Sequence, residues 1–149
     1  ARQKAETTEA PAMAIELPDG RTVTGKTTSL LGACSAVLIN ALKALAGIPK
    51  ETLLIPPTII EPIQKLKVSH MGNKNPRLHT DELLIALSIC ATTDKTAALA
   101  LEQLDKLRGS EAHSTVILAR VDENVFKKLG INLTCDPVYQ KKSLYHRQA

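Results

Sequence analysis

Residues 13 to 17, MAIEL, alternate apolar and polar side chains, and RTVTG follows after Pro18-Asp19-Gly20. A period of two belongs to a strand, while the proline presets one turn dihedral and the glycine accepts positive φ. The chain therefore opens on a β-hairpin. Leu30, Leu31, Ala33, Cys34, Val37, Leu38, Ala41, Leu42 and Leu45 then recur at helical spacing as far as Gly47, a natural C-terminal stop. TLLI (52 to 55) is a short apolar run closed by Pro56-Pro57, and TIIEPIQKLKV reads as a helix with Pro62 close to its start. SHMGNKNPRL is a loop. HTDELLIALSICATT is a strongly apolar helix, with Thr80 as N-cap and with Asp81 and Glu82 in its first turn, where carboxylates favour the positive end of the helix dipole. TDKTAALALEQLDKLRG opens a second helix at Thr93 or Asp94 and ends at Gly109. HSTVILARV is the best single strand, DENVFKKLG a short amphipathic helix capped by Asp122, and INLTC a last strand before Asp136-Pro137. Strands and helices alternate behind the hairpin. The economical architecture is α/β: a mixed sheet covered by helices on both faces, a three-layer α/β/α sandwich.

Composition supports a packed domain and restricts its chemistry. The chain has 149 residues, 44% hydrophobic and 23% charged, the profile of a globular domain rather than a disordered or disulfide-rich one. Aromatics are only 2%, so the core rests on Leu, Ile, Val and Ala. Phe126, Tyr139 and Tyr145 are the whole aromatic inventory, too few for the stacking platforms of single-strand nucleic-acid binders. The net charge is +4 without a run of five basic residues, which argues against a nucleic-acid surface. Cys34, Cys90 and Cys135 have no C-x-x-C spacing and read as reduced thiols of a cytoplasmic protein. No run approaches the 18 or more apolar residues of a membrane span, and no secretory signal core opens the chain. Its charged, Ala-rich start without methionine looks like the tail of a helix under way, so a fragment of a longer protein is expected.

Gly20 to Thr27 spells G-x-x-x-x-G-K-T, the formal P-loop signature. A true P-loop needs a strand ending at the first Gly and a loop whose N–H groups turn inward onto phosphate. Thr22, Val23 and Thr24 occupy that loop instead, and three stiff β-branched residues favour a pleated strand. The hairpin turn accounts for Gly20 without a ligand. What survives is narrower: Gly25, Lys26, Thr27 and Thr28 lead towards a helix N-terminus, where free N–H groups and one Lys suit an anion.

The densest polar cluster is GNKNPRLHTDE. His79, oriented by Asp81, suits a general acid or base, and Arg77, with Asn75 nearby, suits a carboxylate or phosphate. His113 and Ser114 open the best strand, where His113 is placed to join His79. Cys135 at a strand end reads as packing rather than a nucleophile. Zinc-ligand spacings and a G-x-S-x-G elbow are absent, so no metal site is expected and no cofactor is indicated.

LPDGRTVTGKTTSLLGACSAVLINALK, NKNPRLHTDELLIALSICATT, LRGSEAHSTVILARVDENVFKKLGINLTCDPVY and the closing LYHR closely resemble the C-terminal part of the bacterial uncharacterised protein family 0371, defined by a domain of unknown function. The resemblance spans residues 12 to 147. It implies a longer parent protein with an N-terminal α/β region, and a C-terminal three-layer α/β/α subdomain with a topology like that of cytidine deaminases. The deaminase zinc ligands are lacking here, so that activity is not carried over. Some members are labelled ATP-dependent peptidases, but neither a protease triad nor a zincin helix is present. The family offers no agreed catalytic residues to transfer.

The expected organisation is a helix tail or linker over 1–11, one α/β domain over 12–139 and a tail over 140–149. The expected function is a cytoplasmic ligand-binding or catalytic half-site for a small phosphorylated or carboxylated molecule, completed by the protein's own N-terminal region. His79, Asp81 and His113 are the catalytic candidates; Gly25, Lys26, Thr27, Thr28, Asn75, Arg77 and Ser114 are the ligand-binding ones. The alternative is a structural domain without its own active site, packing against the N-terminal region or assembling subunits as a homo-oligomer through its apolar helices 29–46 and 79–91. Nucleotide binding at a P-loop and ATP-dependent peptidase activity rank below both. Neither a membrane nor a nucleic acid is expected as partner.

Overall fold

The computed structural model describes residues 12–136, so the expected segments 1–11 and 140–149 lie outside the described residues. Strand β1 (Ala12–Glu16) and strand β2 (Thr22–Lys26) form the opening hairpin, antiparallel from Ala12 opposite Lys26 to Glu16 opposite Thr22. Gly20 makes its turn at φ 92°. The P-loop spelling is thus a paired strand, as its β-branched centre requires. Strand β3 (Glu111–Ser114) lies antiparallel to β1, and strand β4 (Asn132–Cys135) parallel to β3, giving an open mixed sheet in the order β2-β1-β3-β4.

Five α-helices accompany the sheet among the described residues. They are α1 (Ala33–Ala46), α2 (Pro57–Lys65), α3 (Thr80–Cys90), α4 (Lys95–Leu101) and α5 (Arg120–Lys128). A π-helical turn, Leu66–His70, extends α2, and a 3₁₀ turn, Leu104–Leu107, follows α4. The expected single helix after Asp94 is therefore split.

Strand alternation decides which side chains meet the helices. Met13, Gly25 and Ser114 share one face by register, and Ala14, Thr24 and His113 the other. The Gly25 face meets α1. A Cβ at Gly25 would lie 2.7 Å from Val37 Cα and 2.9 Å from the Ala36 carbonyl carbon, so only glycine lets α1 pack this close to β2. Met13 Sδ and Cys34 Sγ touch at 3.2 Å across the same layer. Val37, Leu38 and Leu42 of α1, Leu83 and Leu87 of α3, and Phe126 of α5 are all fully buried in one core with Met13 and Ile15. The apolar face of α1 is consumed by this core, whereas α3 keeps Ile85 and Ile89 outward.

Three boundaries depart from the sequence pattern, each because polar groups stitch the chain elsewhere. The expected strand HSTVILARV leaves the sheet after Ser114, whose hydroxyl donates to the Val116 carbonyl and accepts from the Val116 N–H. Helix α1 starts at Ala33, not near Leu30, because Thr28 Oγ1 accepts the N–H groups of Leu30 and Leu31. Leu30 and Gly32 then bridge to Leu78, through Leu78 N to Leu30 O (3.0 Å) and Gly32 N to Leu78 O (3.3 Å). Helix α5 starts at Arg120 with Ala119 as N-cap, leaving Asp122 inside its first turn.

Gly25→Ala should lower stability by about 2 kcal/mol or more, since the new methyl group meets helix backbone rather than a movable side chain. Gly20→Ala meets nothing within 4 Å and should cost only about 1 kcal/mol of backbone strain. Chemical denaturation of both variants tests this order.

Candidate functional site

The bridge between Leu31 and Leu78 lays the loop before α3 beside the start of α1. Past Ser114, the chain swings out between β3 and α5 and closes a third side. The result is a cavity of about 290 Å³ lined by Thr27, by Gly32 to Cys34 at the start of α1, by Asn75, Arg77 and His79, and by Val116 to Ala119 and Asp122. It lies beyond the carboxyl end of β3, and ligands of open α/β sheets gather outside the carboxyl ends of strands.

Asp122 ties this site together. Its carboxylate accepts three hydrogen bonds: from Thr80 N–H (2.9 Å), from Thr80 Oγ1 (2.8 Å), and from His79 Nδ1 (3.2 Å). The expected N-cap role of Asp122 is corrected here: the carboxylate reaches across to the start of α3 instead of closing its own helix. The N-cap of α3 is His79 rather than Thr80, and the Glu82 carboxylate accepts the His79 N–H at 2.9 Å. Asp81 is exposed and accepts the neighbouring Glu82 N–H, so the residue oriented against His79 is Asp122.

Electrostatics follow from these contacts. The hydrogen bond to Asp122 raises the His79 pKa above its ordinary 6.5, outweighing partial burial. Burial pushes Asp122 upward, but the hydrogen bonds from His79 and Thr80 outweigh it and hold the carboxyl below its usual range. Nδ1 of His79 is committed to Asp122, and among the described residues nothing hydrogen-bonds Nε2. His79 is one of the residues that line the cavity.

A buried cation fixes the backbone behind the site. Lys67, 4% exposed, donates to Glu82 Oε1 (2.7 Å) and to the Arg77 carbonyl (2.6 Å). One ammonium thus ties the π-helical turn to both ends of the RLHTDE segment. Arg77 is also buried; its N–H is accepted by Asn75 Oδ1, and its Nε donates to the Thr28 carbonyl. Cys34 lines the cavity, but burial and then the nearby Asp122 charge push its thiol far upward, which favours the protonated, unreactive form.

The remaining candidates are spread out. Lys26 is exposed on edge strand β2 and precedes the Thr28 turn, so it stands apart from the N-terminus of α1. Gly25 serves packing, Thr28 the turn, and Ser114 the turn after β3. His113 occupies the sheet face opposite Ser114, where it contacts Thr134 Oγ1 (2.8 Å) and Asp136 Oδ1 (3.2 Å). It does not join His79. Asn75, Arg77, His79 and Thr27 do meet, and Asp122, Lys67 and Cys34 belong with them. Lys67 carries a faint sequence signal, a cation among apolar neighbours in KLKVSH.

Residues 1–145 match a family model described as "Domain of unknown function DUF1846, C-terminal". The chain belongs to this family. The chain is 58% identical to the UPF0371 protein of Streptococcus uberis over 147 residues, and 57% identical to that of Streptococcus pyogenes serotype M5. Each match covers 99% of this chain but 30% of the relative, so the DUF1846 C-terminal domain is part of a larger protein there. No helix of the described residues is long and apolar enough to cross a membrane.

Asp122→Ala strands three donors, two of them on the fully buried Thr80, and should destabilise the fold by about 3 kcal/mol. The His79–Asp122 pair has its own pH signature. The raised His79 pKa contributes stability below 6.5 that is lost as pH rises through the folded-state value. The depressed Asp122 pKa contributes stability above 3.8 that is lost as pH falls through its folded-state value. The stability lost in His79→Gln should therefore be greatest between pH 3.8 and 6.5 and shrink at alkaline pH. Urea melts across pH check it; a pH-independent difference would contradict the pairing.

Proposed function

We propose that the cavity binds a small phosphorylated or carboxylated molecule, with His79 as the proton donor or acceptor. What carries the reading is a histidine held by a buried carboxylate at the mouth of two helix starts. Gly32 is the N-cap of α1 and Ala119 that of α5, and neither has a side chain that caps its helix. Both starts line the cavity. N–H groups of a first helical turn have no partner within the helix and carry the positive end of its dipole.

Charge accounting supports an anion despite Asp122. A protonated His79 balances that carboxylate, and the two helix dipoles direct a positive field at the cavity. The volume suits a metabolite-sized group rather than a polymer. A raised pKa keeps His79 available as an acid near neutrality, the condition for efficient proton transfer. The longer protein supplies the remaining wall in this reading. A further layer against the sheet face of Ala14 and His113 would complete a three-layer, deaminase-like arrangement, which we propose with it.

Calorimetric titration of the full-length protein with inorganic phosphate, small phosphomonoesters and dicarboxylates tests the reading. One class should bind, more tightly as pH falls towards 6. His79→Gln and Arg77→Met should each weaken it at least about tenfold, the value of one charge-assisted hydrogen bond. Absence of binding, or binding indifferent to both substitutions, overturns it.

A further inference from the structure

We propose that the outward side of α3 at Ile85 and Ile89, with exposed Leu99 on the adjoining α4, is the seat of the region that precedes this domain in the full-length protein. Ile85 and Ile89 stand one turn apart on one helix face and are 61% and 57% exposed; Leu99 on the adjoining α4 is 42% exposed. Their buried counterparts, Leu83 and Leu87, face the core from the same helix. Helix α3 therefore carries two isoleucines outside the core, beside exposed Asp81 and Ser88.

The occupant follows from length and size. The chain spans 30% of relatives in which it is the C-terminal domain, so the larger part of each relative lies ahead of it. Three aliphatic side chains form a patch far below the ~1,200 Å² that stable association of separate chains requires. A tethered domain works at an effective concentration of about millimolar, and small interfaces suffice between linked domains. A second copy has no such advantage. Ile85 also stands six residues beyond His79, about 9 Å along the helix axis, so a body seated there borders the cavity mouth. This inference rests on the domain's place in a longer chain and not on the anion reading.

Hydroxyl-radical footprinting of the full-length protein, read by mass spectrometry at two protein concentrations, tests it. Ile85 and Ile89 should be oxidised as slowly as buried Leu83 and Leu87, equally at both concentrations. Oxidation at the rate of exposed Leu53 would overturn the proposal. Protection lost on dilution would overturn it too, by identifying a second copy as the occupant. Failure of phosphate or carboxylate binding leaves the expected footprint unchanged.

Discussion

A buried carboxylate cannot be left without donors, and in this fold that requirement joins two helices that the chain keeps 40 residues apart. Asp122 sits in the first turn of α5, yet its carboxylate accepts hydrogen bonds from His79 and Thr80 at the start of α3. Burial alone would favour its neutral acid. Three donors reverse that preference, and His79 thereby gains a fixed ring orientation and a counter-charge. The cavity, the open Nε2 and the position of the segment after β3 all depend on this junction, because α5 and α3 form two of its walls.

Behind the junction, Lys67 and Glu82 perform the same service for the backbone. A lysine this deeply buried would be costly alone, but a carboxylate and a carbonyl both receive its ammonium. Glu82 then passes the constraint to the His79 N–H. Orientation of the imidazole is thus set from both sides: by Asp122 at the ring, by Glu82 at the main chain. Such support is what holds a functional group in place while a ligand comes and goes.

Local chemistry was legible in the sequence wherever a pattern is local. The hairpin follows from MAIEL, Pro18-Asp19-Gly20 and the β-branched triplet, and the P-loop spelling dissolves for the same reason. The helix starting near His79 and the grouping of Asn75, Arg77 and His79 were also readable, as neighbours in one loop. Contacts between distant segments were not. Asp122 looked satisfied as a cap of its own helix, Asp81 looked like the partner because it is two residues from His79, and His113 looked available because sequence does not say which sheet face a strand residue takes. The register of β1 against β3 places His113 away from the cavity. Strand length failed similarly: VILA is strongly β-prone, but Ser114 turns the chain out of the sheet.

The coupling between Asp122 and His79 is the central claim, and proton titration of the imidazole measures it directly. In full-length protein carrying isotope-labelled histidine, with the resonance assigned through His79→Gln, His79 should titrate above 6.5 and fall to that value or below in Asp122→Asn. A His79 that titrates at or below 6.5 in the unaltered protein, and does not respond to Asp122→Asn, would contradict the account.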